Sequence, residues 1–419
     1  MRRRDFLRDS AGLISVCIPA IAGAQSRPCP PTTLGVSGGA TVEGSCELTS
    51  LPSWVPAPGT FADISLNAPS AVDPCSGGGC VYSGTSGQNS VFFVWTSGIY
   101  APELGSMGSY VTWGGGHKAY AGNEVYRFDV ATRLWSRMGS PSPYAEDTSL
   151  GNDGAFPDGK PMPPHTYQTL GIRSSANGGG PLGSLIQATL PACTTTGSGR
   201  FGAWWQFSFA TETWSKFIDS SSIPVGTLSQ KLMVQEPGGN FWWIGGGYLT
   251  QIARVSPTGA IKLYDISSNS TYYVCGGVMP GRIMAVHGEW ESTMRIRLFD
   301  LAAIEAGAAT SSATKYITPS GTQPGKGSGL QWCPDLGRFA ALQSTSPTTI
   351  YWLTPPADPW NGAWTWTTET MKPAGSATSR AIQDGNGSFN RFVWCPPIKS
   401  FLWATGRSAP MQAYRPLGT

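Results

Sequence analysis

Apolar residues in this chain gather into short runs, split by Pro- and Gly-rich turns, and the runs come in pairs. Leu330-Gln331-Trp332-Cys333-Pro334 leads through a turn to Phe339-Ala340-Ala341-Leu342. Val393-Trp394-Cys395-Pro396 leads in the same way to Phe401-Leu402-Trp403-Ala404, so an aromatic residue stands six positions after each Cys. Met233-Val234-Gln235-Glu236-Pro237 followed by Phe241-Trp242-Trp243-Ile244 has the same form, as does Tyr273-Val274-Cys275 followed by Arg282-Ile283-Met284-Ala285-Val286. Short apolar runs bounded by turn residues read as strands, and two such strands across a tight turn read as a hairpin.

More strands follow each hairpin. In the first full unit the pattern predicts strands over 91–100, Tyr110–Trp113, Glu124–Val130 and Leu134–Met138, the second ending in Gly114-Gly115-Gly116. The second unit shares the signature Phe-x-x-x-Thr-x-x-Trp, carried by Phe128, Thr132 and Trp135 in the first and by Phe207, Thr211 and Trp214 in the second. Units beginning near residues 91, 166, 231, 272, 328 and 391 predict an all-β chain folded as a six-bladed β-propeller. A seventh blade would have to hide in 85–94 or in the long loop 139–163, and a pair of β-sandwiches is the competing fold. The last unit shows three strands only. The segment Gly59–Asn67 is expected to supply its outer strand, which would close the ring and remove exposed sheet edges. Residues 25–58, rich in Pro, Gly, Ser and Thr, read as an irregular extension before a propeller over 59–419.

Composition sharpens this picture. The 419 residues include 54 Gly and 34 Pro, 17 Trp, 14 Tyr and 16 Phe, with 13 % charged residues. Such a mix excludes a coiled coil and a disordered tail. The net charge of +3 gives no basic field for nucleic acid, and a monomer is expected. Glycine is needed where blades converge, for small size and positive φ. Trp and Tyr are expected to fill the space between blades.

Arg3-Arg4-Asp5-Phe6-Leu7-Arg8 closely resembles the twin-arginine export signal of bacteria, with an apolar stretch from Ala11 to Ala22 and a small-residue cleavage site at Ala22-Gly23-Ala24. The stretch is too short to span a bilayer, and no later segment has 18 consecutive apolar residues. Residues 1–24 therefore read as a signal peptide, and the protein as periplasmic or extracellular, exported already folded. In an oxidising compartment Cys75 and Cys80 are the nearest disulfide pair and Cys29 with Cys46 the next. The remaining cysteines are expected as buried thiols, and the spacing does not suit zinc.

In a propeller the innermost strand of each blade starts on the same face, the top, to which the loop between the second and third strands returns. His117, His165 and His287 all map there, as do Tyr120, Asn123, Tyr167, Lys231, Tyr248, Glu289, Trp290, Arg391 and Arg407. Cations beside aromatic faces suit a carbohydrate polymer or oligosaccharide, above all an anionic sugar. No carboxylate pair stands out as a glycosidase dyad, and neither a Gly-x-Ser-x-Gly elbow nor a His-Glu-x-x-His helix occurs.

The Gly doublet, Tyr126 and the Trp135 that follows a Thr-Arg-Leu turn resemble a kelch repeat, and the first two blades are similar to those of galactose-oxidase-like propellers. That resemblance implies a propeller whose relatives include copper radical oxidases, polysaccharide lyases and plain binding modules. A lyase acting on uronate glycans would use His117, His165, Tyr248 and Tyr167 for acid–base chemistry. Arg391, Arg407, His287, Trp290, Asn123 and Lys231 would then hold substrate. His117 and His165 are the candidate ligands for a divalent metal ion. A glycan- or protein-binding module without catalysis is the alternative.

Overall fold

Each blade strand sends alternate side chains to opposite faces, and in this chain both faces are apolar. In the third blade Leu232 and Val234 face one neighbour, while Met233 faces the other. The paired strand repeats the split, with Trp242 and Ile244 on one side and Phe241 and Trp243 on the other. Ala340 and Leu342 of the fifth blade likewise part from Phe339 and Ala341. Strands buried on both faces read as continuous apolar runs, which is why the hairpins were visible as runs and not as alternation.

The computed structural model describes residues 50–93, 95–115, 119–145, 148–151, 153–188, 203–219, 231–245, 251–266, 273–288, 296–325, 328–343, 348–380 and 388–419. They fall within a compact unit spanning Leu48–Thr419. The described residues form six antiparallel blades, five of four strands and a last one extended to five. The inner strands are Ser97–Ala101, Leu170–Arg173, Lys231–Gln235, Tyr273–Met279, Gly329–Cys333 and Phe392–Cys395, and each contacts the next around a closed ring. Among the described residues apolar side chains collect into one cluster at each of the six interfaces between blades, which gives six thin cores.

The expected closure is present. Thr60–Asp63 pairs antiparallel with Gln412–Arg415 as the outer strand of the sixth blade, and the short Lys372–Pro373 strand adds to its far side. The two Phe-x-x-x-Thr-x-x-Trp signatures also acquire a cause. Phe128 faces Trp135, and Phe207 faces Trp214, across the outer hairpins of the first two blades. Each Trp follows a turn whose last residue, Arg133 or Glu212, has positive φ. Trp214 then packs on Trp113 of the preceding blade at 4.7 Å between ring centroids. The Trp residues do fill space between blades.

Two local expectations are corrected. The stretch 91–100 is not one strand: Asn89–Phe93 is a short helix, and the strand begins at Ser97. Phe92 turns inward from that helix onto Tyr126 and Trp135 at 5.2 and 5.4 Å, a burial that an extended chain on the blade edge would not give. The inner-strand glycines answer to space and not to φ. Gly171, of ordinary φ, has Phe241 of the next blade so close that an added Cβ would sit 2.5 Å from its ring. The loop 139–163 builds a small apolar cluster around Phe156 and Met162, not a further blade. The Cys75–Cys80 disulfide is formed, and Cys275, Cys333 and Cys395 are buried thiols. Residues 1–49, with the export signal and the Cys29–Cys46 pair, lie outside the described residues.

Candidate functional site: a blind cavity on the propeller axis

The six inner strands surround a cavity of about 360 Å³, to which every blade contributes. The residues that line it include Tyr100, Trp332 and Trp394, Gln168, Gln235, Gln331 and Asn390, and Glu236. Exposure rises toward the ends of the inner strands. Leu330 is buried while Gln331 and Trp332 are half-buried; Val234 is buried while Gln235 is half-buried and Pro237 is exposed. The cavity therefore opens where the inner strands finish, on the face opposite the top.

Glutamine amides tie the ring together. A primary amide has the donor and acceptor of a peptide, so it can continue a sheet ladder sideways where backbones diverge. The Gln235 side chain accepts from Ile172 N at 2.9 Å and donates to Ile172 O at 2.6 Å, clamping blades 3 and 2. Gln331 accepts from Trp394 N at 2.9 Å and donates to the Asn390 side chain, clamping blades 5 and 6. Gln168 reaches further. Its Nε2 donates to Gly276 O at 2.7 Å and its Oε1 accepts from Gly276 N at 3.0 Å, so a side chain of blade 2 crosses to blade 4. It forms a crossbar that spans blade 3.

Directly above the crossbar lies an aromatic plug. Trp95, Tyr167 and Phe389 precede the inner strands of blades 1, 2 and 6, and all three have left-handed backbones, with φ of 42°, 44° and 43°. Such conformations cost of order 1–3 kcal/mol each and persist only where surrounding contacts impose them. Here those contacts are visible. His165 lies 4.7 Å from the Trp95 ring and 5.9 Å from that of Tyr167, and Tyr167 meets Phe389 edge-on at 5.3 Å. His165, Tyr167 and Phe389 are buried and Trp95 is half-buried, so the top end of the cavity is closed.

The mouth carries charge that is internally balanced. Glu236, almost wholly buried, meets Arg282 Nε at 3.0 Å, and Arg282 Nη1 meets Glu305 at 2.6 Å. Arg254 Nε adds a contact to Glu305 at 2.7 Å. The Glu305 hydrogen bond holds the Arg282 guanidinium well above its usual range, and the same bond lowers the Glu305 carboxyl. Burial, with the Cys395 thiol beside it, pushes the Tyr100 phenol upward.

The residues singled out from sequence fall into several places. His165 and Tyr167 come together in the plug. His287 is fully buried, its Nε2 2.5 Å from Ser328 O. Arg391 is fully buried and donates from Nη1 to Phe92 O at 2.6 Å, fastening the short helix to blade 6, and burial lowers its pKa to about 10. Asn123 is buried and bonds Ser142 and Pro161 O, which anchors the loop 139–163. Arg407 is exposed and pairs with Asp73 at 3.2 Å. Lys231 opens the inner strand of blade 3, opposite Gly245. His117, Tyr248, Glu289 and Trp290, and the side chain of Lys231, lie outside the described residues. Among the described residues no group of three or more His, Cys, Asp and Glu side chains stands together as a metal site.

A second buried carboxylate, besides Glu236, went unnoticed in the sequence. Glu124 Oε1 accepts from the Tyr120 and Tyr126 hydroxyls, the latter at 2.5 Å, while its Oε2 is buried without a partner. Burial raises its pKa, and the two tyrosine bonds only partly oppose the rise. The nearby Tyr120 and Tyr126 were themselves legible, but nothing in spacing distinguishes this Glu from a surface one.

No protein-family model matches the chain, and no curated protein resembles it in sequence. Solved structures are similar in fold. A streptogramin B lyase is 9 % identical, with 79 % of this chain and 95 % of that one aligned at a TM-score of 0.39. The major allergen Mala s 1 of Malassezia sympodialis is 12 % identical, with 78 % and 93 % aligned at 0.43. An auxiliary nutrient binding protein from Bacteroides ovatus is 8 % identical, with 78 % and 69 % aligned at 0.42. At such values the six blades themselves define the class, a β-propeller, and the neighbours' activities do not transfer.

Proposed function

We propose that this protein is an exported, glycan-binding propeller module whose site is the axial cavity. The observation that carries this reading is a preformed cavity of about 360 Å³ whose lining includes Tyr100, Trp332 and Trp394 and the amide residues Gln168, Gln235, Gln331 and Asn390. Ligand sites span about 300–1,000 Å³ and combine apolar walls with a few polar groups. Aromatic faces suit the C–H faces of pyranose rings, and amides suit hydroxyls. Export rests on the twin-arginine-like N-terminus, and kinship with kelch propellers on the two Phe-x-x-x-Thr-x-x-Trp hairpins. Titration calorimetry of the mature protein against neutral and uronate oligosaccharides tests the reading. Saturable heats are expected, and silence against all of them would overturn it.

A second reading, a uronate lyase working from the top face, is favoured by one fact: His165 and Tyr167 lie ring to ring at 5.9 Å. It calls for growth of ultraviolet absorbance from unsaturated ends when uronate polymers are added. A flat trace with every polymer removes it.

A further inference from the structure

The chemistry of the axial cavity specifies its ligand more closely; this inference rests on the glycan-binding reading above. We infer that the cavity takes the terminal unit of a neutral oligosaccharide, end-on, and rejects both uronates and chain interiors.

Charge decides the first part. Among the described lining residues Glu236 is the one carboxylate, and none is Lys, Arg or His. Arg282, the cation nearest to it, is already held by Glu236 and Glu305. A uronate carboxylate entering here would lose water, gain no cationic partner among the described lining residues and approach a buried carboxylate, an unfavourable arrangement. A neutral sugar carries only hydroxyls, which amide and peptide groups satisfy in either direction.

Shape decides the second part. A polymer bound along its length needs a groove open at both ends. The bonded Gln168–Gly276 pair is part of the lining of this cavity, and the residues just before Gln168 and Asn390, Tyr167 and Phe389, are buried against each other beyond it. Its volume lies at the small end of the ligand-pocket range. A chain can therefore enter only by its tip, with Trp332 at the entrance as a stacking platform.

The test uses the mature protein and length-defined series of malto-, cello-, xylo-, manno- and oligogalacturonides, followed by titration calorimetry. For the neutral series that binds, affinity should level off after the first few units, and stoichiometry should stay at one protein per chain at every length. Ile99→Phe, which adds bulk at a residue that lines the cavity and packs between blades 1 and 2, and Trp332→Ala should each weaken binding by about tenfold or more. Their circular dichroism should match the parent's. Because Trp332 also packs within its blade, Ile99→Phe decides if Trp332→Ala fails to fold. Equal or preferred binding of oligogalacturonides, or several proteins loading onto each long chain, would overturn this inference and leave the glycan reading standing. Unchanged affinity in a folded Ile99→Phe would move the site away from the cavity. Silence with every series would overturn both.

Discussion

Gln168 and Gly276, in blades that are not neighbours, exchange two hydrogen bonds past the inner strand of the blade between them, at 2.7 and 3.0 Å. Both residues are enclosed by the inner strands, where no second donor or acceptor replaces a lost one cheaply. Gln168→Leu strands the Gly276 N–H and C=O and should cost about 2–4 kcal/mol, read as a lower urea midpoint at constant slope. Gln168→Glu carries a sharper signature. Its carboxylate can accept from Gly276 N but must be protonated to donate to Gly276 O, so its folded-state pKa is raised. Stability should be near the parent's at about pH 4 and fall as pH rises through that raised value. A variant with the same midpoint at low and neutral pH would show that the crossbar does not form.

Glu124 predicts the opposite use of the same linkage. Its pKa is raised, chiefly by burial, so the protein as it stands holds stability below the ordinary carboxylate range that it loses as pH climbs through the folded-state value. Glu124→Gln keeps an oxygen for Tyr120 and Tyr126 and removes the titration. Thermal unfolding across the acid-to-neutral range should give a flatter profile for Glu124→Gln, with a melting temperature equal to or above the parent's at neutral pH. A steeper profile would contradict the assignment.

Arg391 and Arg407 separate two kinds of cation that a sequence does not tell apart. Arg391 is wholly buried against Phe92 O, so Arg391→Ala leaves a carbonyl unsatisfied and a void, with an expected loss of about 3 kcal/mol or more. Arg407 is exposed and paired with Asp73, so Arg407→Ala should move stability by under about 1 kcal/mol. Denaturant unfolding of the two variants side by side checks the contrast. Equal losses would count against it.

Gly329 opens the inner strand of blade 5, where an added Cβ would fall 2.1 Å from Phe389 O. The obstacle is backbone of the next blade and cannot rotate away. Gly329→Ala should therefore cost about 3 kcal/mol or more and lower soluble yield. Gly337, in the following turn, has open space around its Cβ position, and Gly337→Ala pays only the strain of its positive φ of 61°. The ratio of the two losses, measured by urea unfolding, tests whether blade convergence sets the glycine requirement.

Much of the fold was legible because its signals are local. The Trp-Cys-Pro hairpins reappear as paired registers, Trp332 opposite Phe339 and Trp394 opposite Phe401, with rings 5.0 and 4.8 Å apart. The six positions from Cys to aromatic hold a single turn of tight helix between the strands, Pro334–Leu336 in one case and Pro396–Ile398 in the other. The closing strand at Thr60–Asp63 was legible because the last blade lacked a partner. The helix at Asn89–Phe93 was not, since five apolar and polar residues fit either period and only Tyr126 and Trp135 choose between them. In the site, scarcity drew attention to the histidines, and His165 packs against Trp95 and Tyr167. The cavity below it opens at the other face, and its wall of Gln, Asn and Trp has no rare residue to mark it.

What the sequence by itself determined is the blade: strand length, turn chemistry, and two apolar faces that force each blade to be sandwiched between neighbours. Those are properties of residues a few positions apart. The tertiary structure alone decided which side chains meet across the ring. Whether a glutamine faces solvent, as its polarity suggests, or spans from Gln168 to Gly276 depends on residues 108 positions apart being brought together by closure. The crossbar, the plug and the open mouth all arise from that closure, because only a closed ring turns six similar strand edges into one enclosed space with two different ends.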